Sequence, residues 1–287
     1  MHKKETVNKI QQIFNGHWAI NAQDYHQLIS LIMPSIKAGN IEAVEKSLST
    51  KITAYATMPY IADRWELDDA SLPQGSIVVL TAEGILYSWD TYRLEQFIRQ
   101  AISNSNIAGI VLFVNGPGGM ILRVDLLEKL IRESPKPIAA YITGCCASAH
   151  YWFTSACGRT FISSPMDEIG SVGIVYTYQS FKKYYETQGI IIEDIYPDGA
   201  DLKNKMIREM DDNNDPQMIK DKLSFYHNLF RQAISRNLNI PMDPQLPLFR
   251  GETFFADVAV ANGYIDQMGT LDDAITWVLA QSTNRSF

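Results

Sequence analysis

Two apolar strand patterns in close succession, each handing over to a glycine-bearing loop and then to a helical pattern, fix most of what this chain can become. Residues 107–114 are apolar without alternation, as a strand buried on both faces must be. They run into Asn115-Gly116-Pro117-Gly118-Gly119, after which residues 124–131 carry helical spacing. A second apolar run, 137–142, meets Gly144-Cys145-Cys146-Ala147-Ser148-Ala149-His150-Tyr151-Trp152, where a helical pattern is expected to open. Consecutive strand–loop–helix units set parallel strands side by side, with their carboxyl ends facing one crevice. The predicted class is therefore α/β, built from repeated strand-helix units.

A serine at the second of these junctions has a chemical consequence. Where a buried strand gives way to a helix, the Ser148 hydroxyl sits beside backbone N–H groups that can face a developing negative charge. Gly118 and Gly119 have no side chains, so their loop can approach a ligand closely. A phosphate cradle does not fit, because no Lys-Ser/Thr pair follows the glycines. A serine needs a base to take its proton. The five histidines, His2, His17, His26, His150 and His227, form no triad pattern with an acidic residue, and His150 reads as a packed aromatic. The remaining chemistry is the serine-lysine variant, which requires a lysine held neutral by burial. Cys146 is an alternative nucleophile without an evident histidine partner.

Three separated segments resemble the signal peptide peptidase A family of serine-lysine peptidases, which have the Clp/crotonase-type fold. Residues 115–119 are similar to the family's Asn-Ser-Pro-Gly-Gly oxyanion loop, 147–151 to its Ala-Ser-Gly-Gly-Tyr nucleophile segment, and Ile169-Gly170-Ser171-Val172-Gly173-Ile174-Val175 to its Gly-Ser-Ile-Gly-Val segment. A weaker match runs from Phe249-Arg250-Gly251 to Gly263-Tyr264-Ile265-Asp266. Two departures stand out: Gly116 replaces a serine, and Ala149-His150 replaces Gly-Gly. The resemblance implies Ser148 as nucleophile, the N–H groups of Gly119 and Ala149 as oxyanion donors, and Gly118 as the residue that shapes the loop. It also implies a base about 55 residues after the serine, at Lys203 or else Lys205. The reaction it implies is peptide-bond hydrolysis without metal or organic cofactor, in a homo-oligomer, with the lysine supplied by the same or a neighbouring subunit.

Composition sets outer bounds. Over 287 residues the net charge is −7, with no basic stripe to follow a phosphate backbone, so a nucleic-acid partner is excluded. Cys145, Cys146 and Cys157 lack disulfide or zinc spacing and read as reduced core thiols. The first ten residues are charged and no run approaches eighteen apolar residues, so the expectation is a cytoplasmic chain without signal peptide or membrane span. Within the family, these features point to the phage or prophage branch that processes scaffold or capsid proteins. A peptide-degrading relative, a catalytically dead assembly scaffold and a crotonase-like acyl-CoA enzyme are the alternatives. Residues 1–70 are expected to form a mainly helical extension and 71–287 the peptidase domain. Further strand and helices are expected at 76–81, 92–103 and 218–237, and Asp211–Asp215 is expected to be a solvated loop.

Overall fold

The computed structural model describes Ile13, residues 18–20, 22–38, Asn40, Val44, 51–57 and 72–284. The first elements are β1 (Trp18–Ile20), α1 (Ala22–Lys37) and β2 (Lys51–Thr57). The extension is thus helical in α1 but also contributes two strands, while Ile41 and Leu48, inside the range expected to be mainly helical, lie outside the described residues. There follow β3 (Ser76–Glu83), α2 (Ser88–Ser103), β4 (Ile107–Gly116), β5 (Gly118–Met120), α3 (Val124–Arg132), β6 (Ile138–Ala147) and α4 (Ala149–Thr154). The chain continues through β7 (Arg159–Ile162), β8 (Glu168–Gly170), α5 (Lys182–Thr187), α6 (Lys205–Asn213) and α7 (Gln217–Leu238). A short 3-10 turn, β9 (Thr253–Phe255), α8 (Ala256–Ala261), β10 (Gln267–Met268) and α9 (Leu271–Asn284) complete it.

One sheet runs in the order β10-β7-β6-β4-β3-β2. Pairing is parallel from β10 to β3, and β2 closes the edge antiparallel. The absence of alternation in β4 and β6 has the expected cause. Ile110, Leu112, Val114, Ile138, Ala140 and Ile142 join a core that also holds Leu94, Leu127, Phe153 and Phe230 from the helices. Val111 and Ala139, one residue out of step, are buried on the opposite face with Ala274 and Val278 of α9.

The second strand runs further than its apolar stretch suggests. Helix α4 opens only at Ala149, because Cys145, Cys146 and Ala147 stay extended and pair with Glu168, Ile169 and Gly170 of β8. β6 therefore changes neighbour along its length, from β7 to β8, and β8 in turn pairs antiparallel with β9. Asp211 and Asp212 also differ from expectation. They belong to α6, where Asp211 Oδ1 accepts from Tyr178 and Ser180 and Asp212 pairs with Lys182 at 2.9 Å.

The loop after β5 is braced to α2 through a buried carboxylate. Glu95 Oε1 accepts from Arg99 at 2.9 Å, and Oε2 accepts from Arg123 at 2.5 Å, just where Arg123 takes a left-handed φ of 70° ahead of α3. Burial alone would raise the Glu95 carboxyl, but the Arg123 and Arg99 guanidinium groups outweigh it and hold the carboxyl below its ordinary range. A depressed folded-state value contributes stability above the unfolded carboxyl range and loses it as pH falls. Glu95→Gln is expected to cost about 2 kcal/mol at pH 7. In thermal melts, the gap to the parent should close below about pH 4.

Candidate active site

Ser148 occupies the junction of β6 and α4 at φ 56°, ψ −118°, a conformation that costs a non-glycine residue about 1–3 kcal/mol. It persists because both backbone groups are tied. The Ser148 N–H donates to Gly170 C=O at 2.8 Å, and its C=O accepts from Trp152 N–H at 2.9 Å. The side chain is buried, and Oγ has no hydrogen-bond partner among the described residues. A buried hydroxyl left unpaired inside a strained turn is uncommon and calls for an explanation. Ala149 follows as the first residue of α4, where the N–H has no acceptor within its own helix.

The third motif is the brace behind this serine. Gly170 has φ +117°, and a Cβ there would lie 2.5 Å from Glu252 C=O. The next N–H, that of Ser171, donates to the same carbonyl at 2.9 Å. Two side chains hold the approach to the junction: Asp167 accepts from Gly144 N–H at 2.8 Å, and Asn115 Oδ1 accepts from Cys145 N–H at 3.2 Å. His227 Nε2 lies 3.0 Å from Val172 C=O, which ties α7 to the same segment.

The glycine loop is fixed from beneath by His150. Its fully buried ring accepts the Gly118 N–H at Nδ1, 3.1 Å away. Burial pushes the imidazole down to about 3, so it is neutral, and with Nδ1 accepting, the proton sits on Nε2. Such a ring has no lone pair free for the serine proton. Gly118 therefore spends its N–H on the scaffold and shapes the loop. Gly116 makes room for the ring, since a Cβ there would collide with His150 Cε1. Gly119 is equally constrained, because a Cβ would run into the Leu86 carbonyl.

The two departures at Gly116 and His150 are thus one packing solution, which is how the sequence could have revealed the contact. Either Gly116→Ser or His150→Ala alone is expected to lower kcat/KM about 10–100-fold by misplacing the loop. The reciprocal pair Gly116→Ser/His150→Gly should recover only part of the loss in peptide-cleavage assays, since it relieves the His150 contact but leaves the serine Cβ 2.6 Å from the Gly84 carbonyl.

The lysines lie elsewhere. Lys203 is exposed, in a turn where its N–H donates to Ala200 C=O, and Lys205 opens α6 half-buried. Arg208 holds this turn by stacking on Tyr196, 4.7 Å from the ring centroid, and by donating to Asp201 C=O. Neither lysine is bonded to Ser148 Oγ within the protomer. None of the three cysteines is joined in a disulfide, and burial pushes the Cys146 thiol well up, which disfavours a thiolate there. Among the described residues, no group of three or more His, Cys, Asp or Glu side chains is placed to hold a metal ion, and no helix is long and apolar enough to cross a membrane.

The family model for peptidase family S49 matches residues 131–284, more than half of the chain. The chain belongs to peptidase family S49. The S49 core here is α/β, a parallel sheet with helices on both faces and the serine junction at the carboxyl end of β6. Among its relatives are Protease 4 of Salmonella typhi, 23% identical over 184 residues covering 62% of this chain and 29% of that one, and Capsid assembly protease C of Escherichia phage lambda, 23% identical over 185 residues covering 62% and 40%. Of solved structures, a ClpP1 mutant from Listeria monocytogenes is similar at a TM-score of 0.48 and 13% identity, covering 68% of this chain and 93% of that one. The chain spans between 29% and 60% of the length of the first curated relatives it matches.

Proposed function

We propose that this S49 peptidase cleaves a protein substrate with Ser148 as nucleophile and Lys203 as base, in the service of phage-type head assembly. The observation that carries the chemistry is the strained, buried and unpartnered Ser148 hydroxyl beside the glycine loop. In this reading Oγ attacks the scissile carbonyl while Lys203 Nζ takes its proton. In this reading the N–H groups of Gly119 and Ala149 receive the oxyanion, while Gly118 N–H stays on the buried His150 ring. Lys203 then returns the proton to the leaving amine, and water hydrolyses the acyl-serine. A fluorophosphonate probe should label Ser148, located by peptide mass spectrometry, and absence of that adduct would overturn the assignment.

Lys203 must be brought to a serine, and the segment that carries it supports delivery from a neighbour. Ile191, Ile192, Ile195 and Leu202 are exposed, Ile191 at 80% and Ile195 at 91%. So much apolar surface on one arm supports a contact with another copy. Replacing Ile191 and Ile195 together with Asp is expected to dissociate the homo-oligomer in sedimentation runs and to lower cleavage at least about 100-fold, because the base leaves with the neighbour.

The head-assembly role is supported by the similarity to the phage lambda capsid assembly protease. Co-expression with phage-type scaffold and capsid proteins tests it. Ser148-dependent processing of either supports the role, and cleavage of membrane-released leader peptides instead would favour a peptide-degrading relative.

A further inference from the structure

The strand next to the oxyanion loop already has an occupant. β1 pairs antiparallel with β5, with Trp18 opposite Met120, Ala19 opposite Gly119 and Ile20 opposite Gly118. This pair forms its own two-stranded sheet, separate from the main one. Gly118 C=O accepts from Leu86 N–H at 2.8 Å, and Met120 N–H donates to Leu86 C=O at 2.7 Å. Backbone groups of successive strand residues point to opposite edges. Gly119, between those two, thus turns its N–H and C=O away from Leu86 and toward Ala19. The same N–H that would receive the oxyanion faces the chain's own backbone.

We infer that Trp18–Ile20 is a tethered competitor, lying in the lane along Gly118–Met120 that an extended peptide substrate would take, so that access requires this segment to leave. The inference rests on the peptidase reading of Gly119. A peptide adding a strand to an open edge gains main-chain hydrogen bonds, and β5 offers one such edge. A ladder of three residues is weak by itself, which makes it exchangeable. Its neighbours hold it near: Ile13, Leu28, Ile32 and Val44 pack in one apolar cluster with Tyr87 and Met120, the last residue of β5. Tethering at this site raises the local concentration of the strand, so a weak ladder competes well against free peptide. A segment that blocks the edge suits a protease whose substrate is delivered only as an assembly forms.

Ala19→Pro in the full chain tests this. Proline has no N–H for Gly119 C=O and is a poor ladder member, while the serine, the lysines and the glycine loop are untouched. The probe is a fluorescent peptide copying residues 15–24, followed by anisotropy on the Ser148→Ala background so that binding is read without turnover. The peptide is expected to bind the Ala19→Pro chain about tenfold tighter, as when a one-in-ten open state becomes the rule. In the active chain, KM for an added peptide should fall by a similar factor. Equal binding in both chains would overturn the inference. A readout independent of the variant is hydrogen exchange of the parent: the Gly119 amide should be protected, and exchange at the rate of an open loop would also overturn it. If binding changes tenfold but neither chain hydrolyses peptide, the competitor stands and the peptidase reading falls. Ser148-dependent hydrolysis with unchanged KM and binding does the reverse: the peptidase stands and the competitor falls.

Discussion

Ser148→Ala is expected to lower peptide hydrolysis by at least about 10⁴-fold while leaving the chain as stable as the parent or more so. The loss is that of the nucleophile, and only substrate binding and oxyanion contacts remain to accelerate the reaction. Stability should hold because the Ser148 hydroxyl makes no hydrogen bond among the described residues, so its removal strands no buried partner. Ser148→Gly separates the two effects further. At φ 56°, ψ −118° glycine is far less strained than serine, so this equally dead variant should gain about 1 kcal/mol and melt a few degrees higher. Differential scanning calorimetry beside a peptide-cleavage assay reads both. Substantial cleavage by either variant would remove Ser148 from the mechanism. A marked fall in melting temperature would mean that the hydroxyl is structural and that the strain is not stored for chemistry.

That trade was partly legible in the chain itself. β4 and β6 were readable because strands buried on both faces are apolar at every position, a local signal that needs no partner to be seen. The serine junction followed from the same pattern, together with the glycines of its loop. What holds the junction was not readable. Gly170 C=O and Asp167 reach Ser148 and Gly144 across about twenty residues, and nothing local in Ser163-Ser164-Pro165-Met166-Asp167 announces an acceptor for a distant glycine. The extension of β6 to Ala147 was hidden for the same reason, since Gly144-Cys145-Cys146 is kept extended by β8 and not by its own propensity. β1 is three residues whose meaning lies wholly in the strand they pair with, a hundred positions away. His150 is the intermediate case. The residue was visible as a departure from the family pattern, and its pairing with the equally unusual Gly116 became intelligible only when the ring was found filling the space above that glycine.

The lysine is where local reading and a single protomer both stop, and the largest remaining effect is expected there. Lys203→Met should reduce cleavage about 10³-fold, with Lys205→Met retaining most activity, because a serine without its base is a poor nucleophile. The reverse ranking would place the base two residues further on, at the head of α6. The location of the base can be decided without a structure of the assembly. Ser148→Ala and Lys203→Met are each expected to be dead alone. Co-expressed in equal amounts, they would form, in the proposed homo-oligomer, mixed assemblies in which an intact serine from one copy can meet an intact lysine from the next. Random mixing then leaves about a quarter of the sites complete, so cleavage should return to about a quarter of the parental rate. Recovery should vanish when the Lys203→Met partner also carries the Asp substitutions at Ile191 and Ile195 and the Ser148→Ala partner does too, because on this proposal the exposed arm is what holds the copies together. A mixture that stays inactive although the oligomer is intact would place the lysine within its own protomer, and the turn carrying Lys203 would then have to swing toward Ser148 by itself.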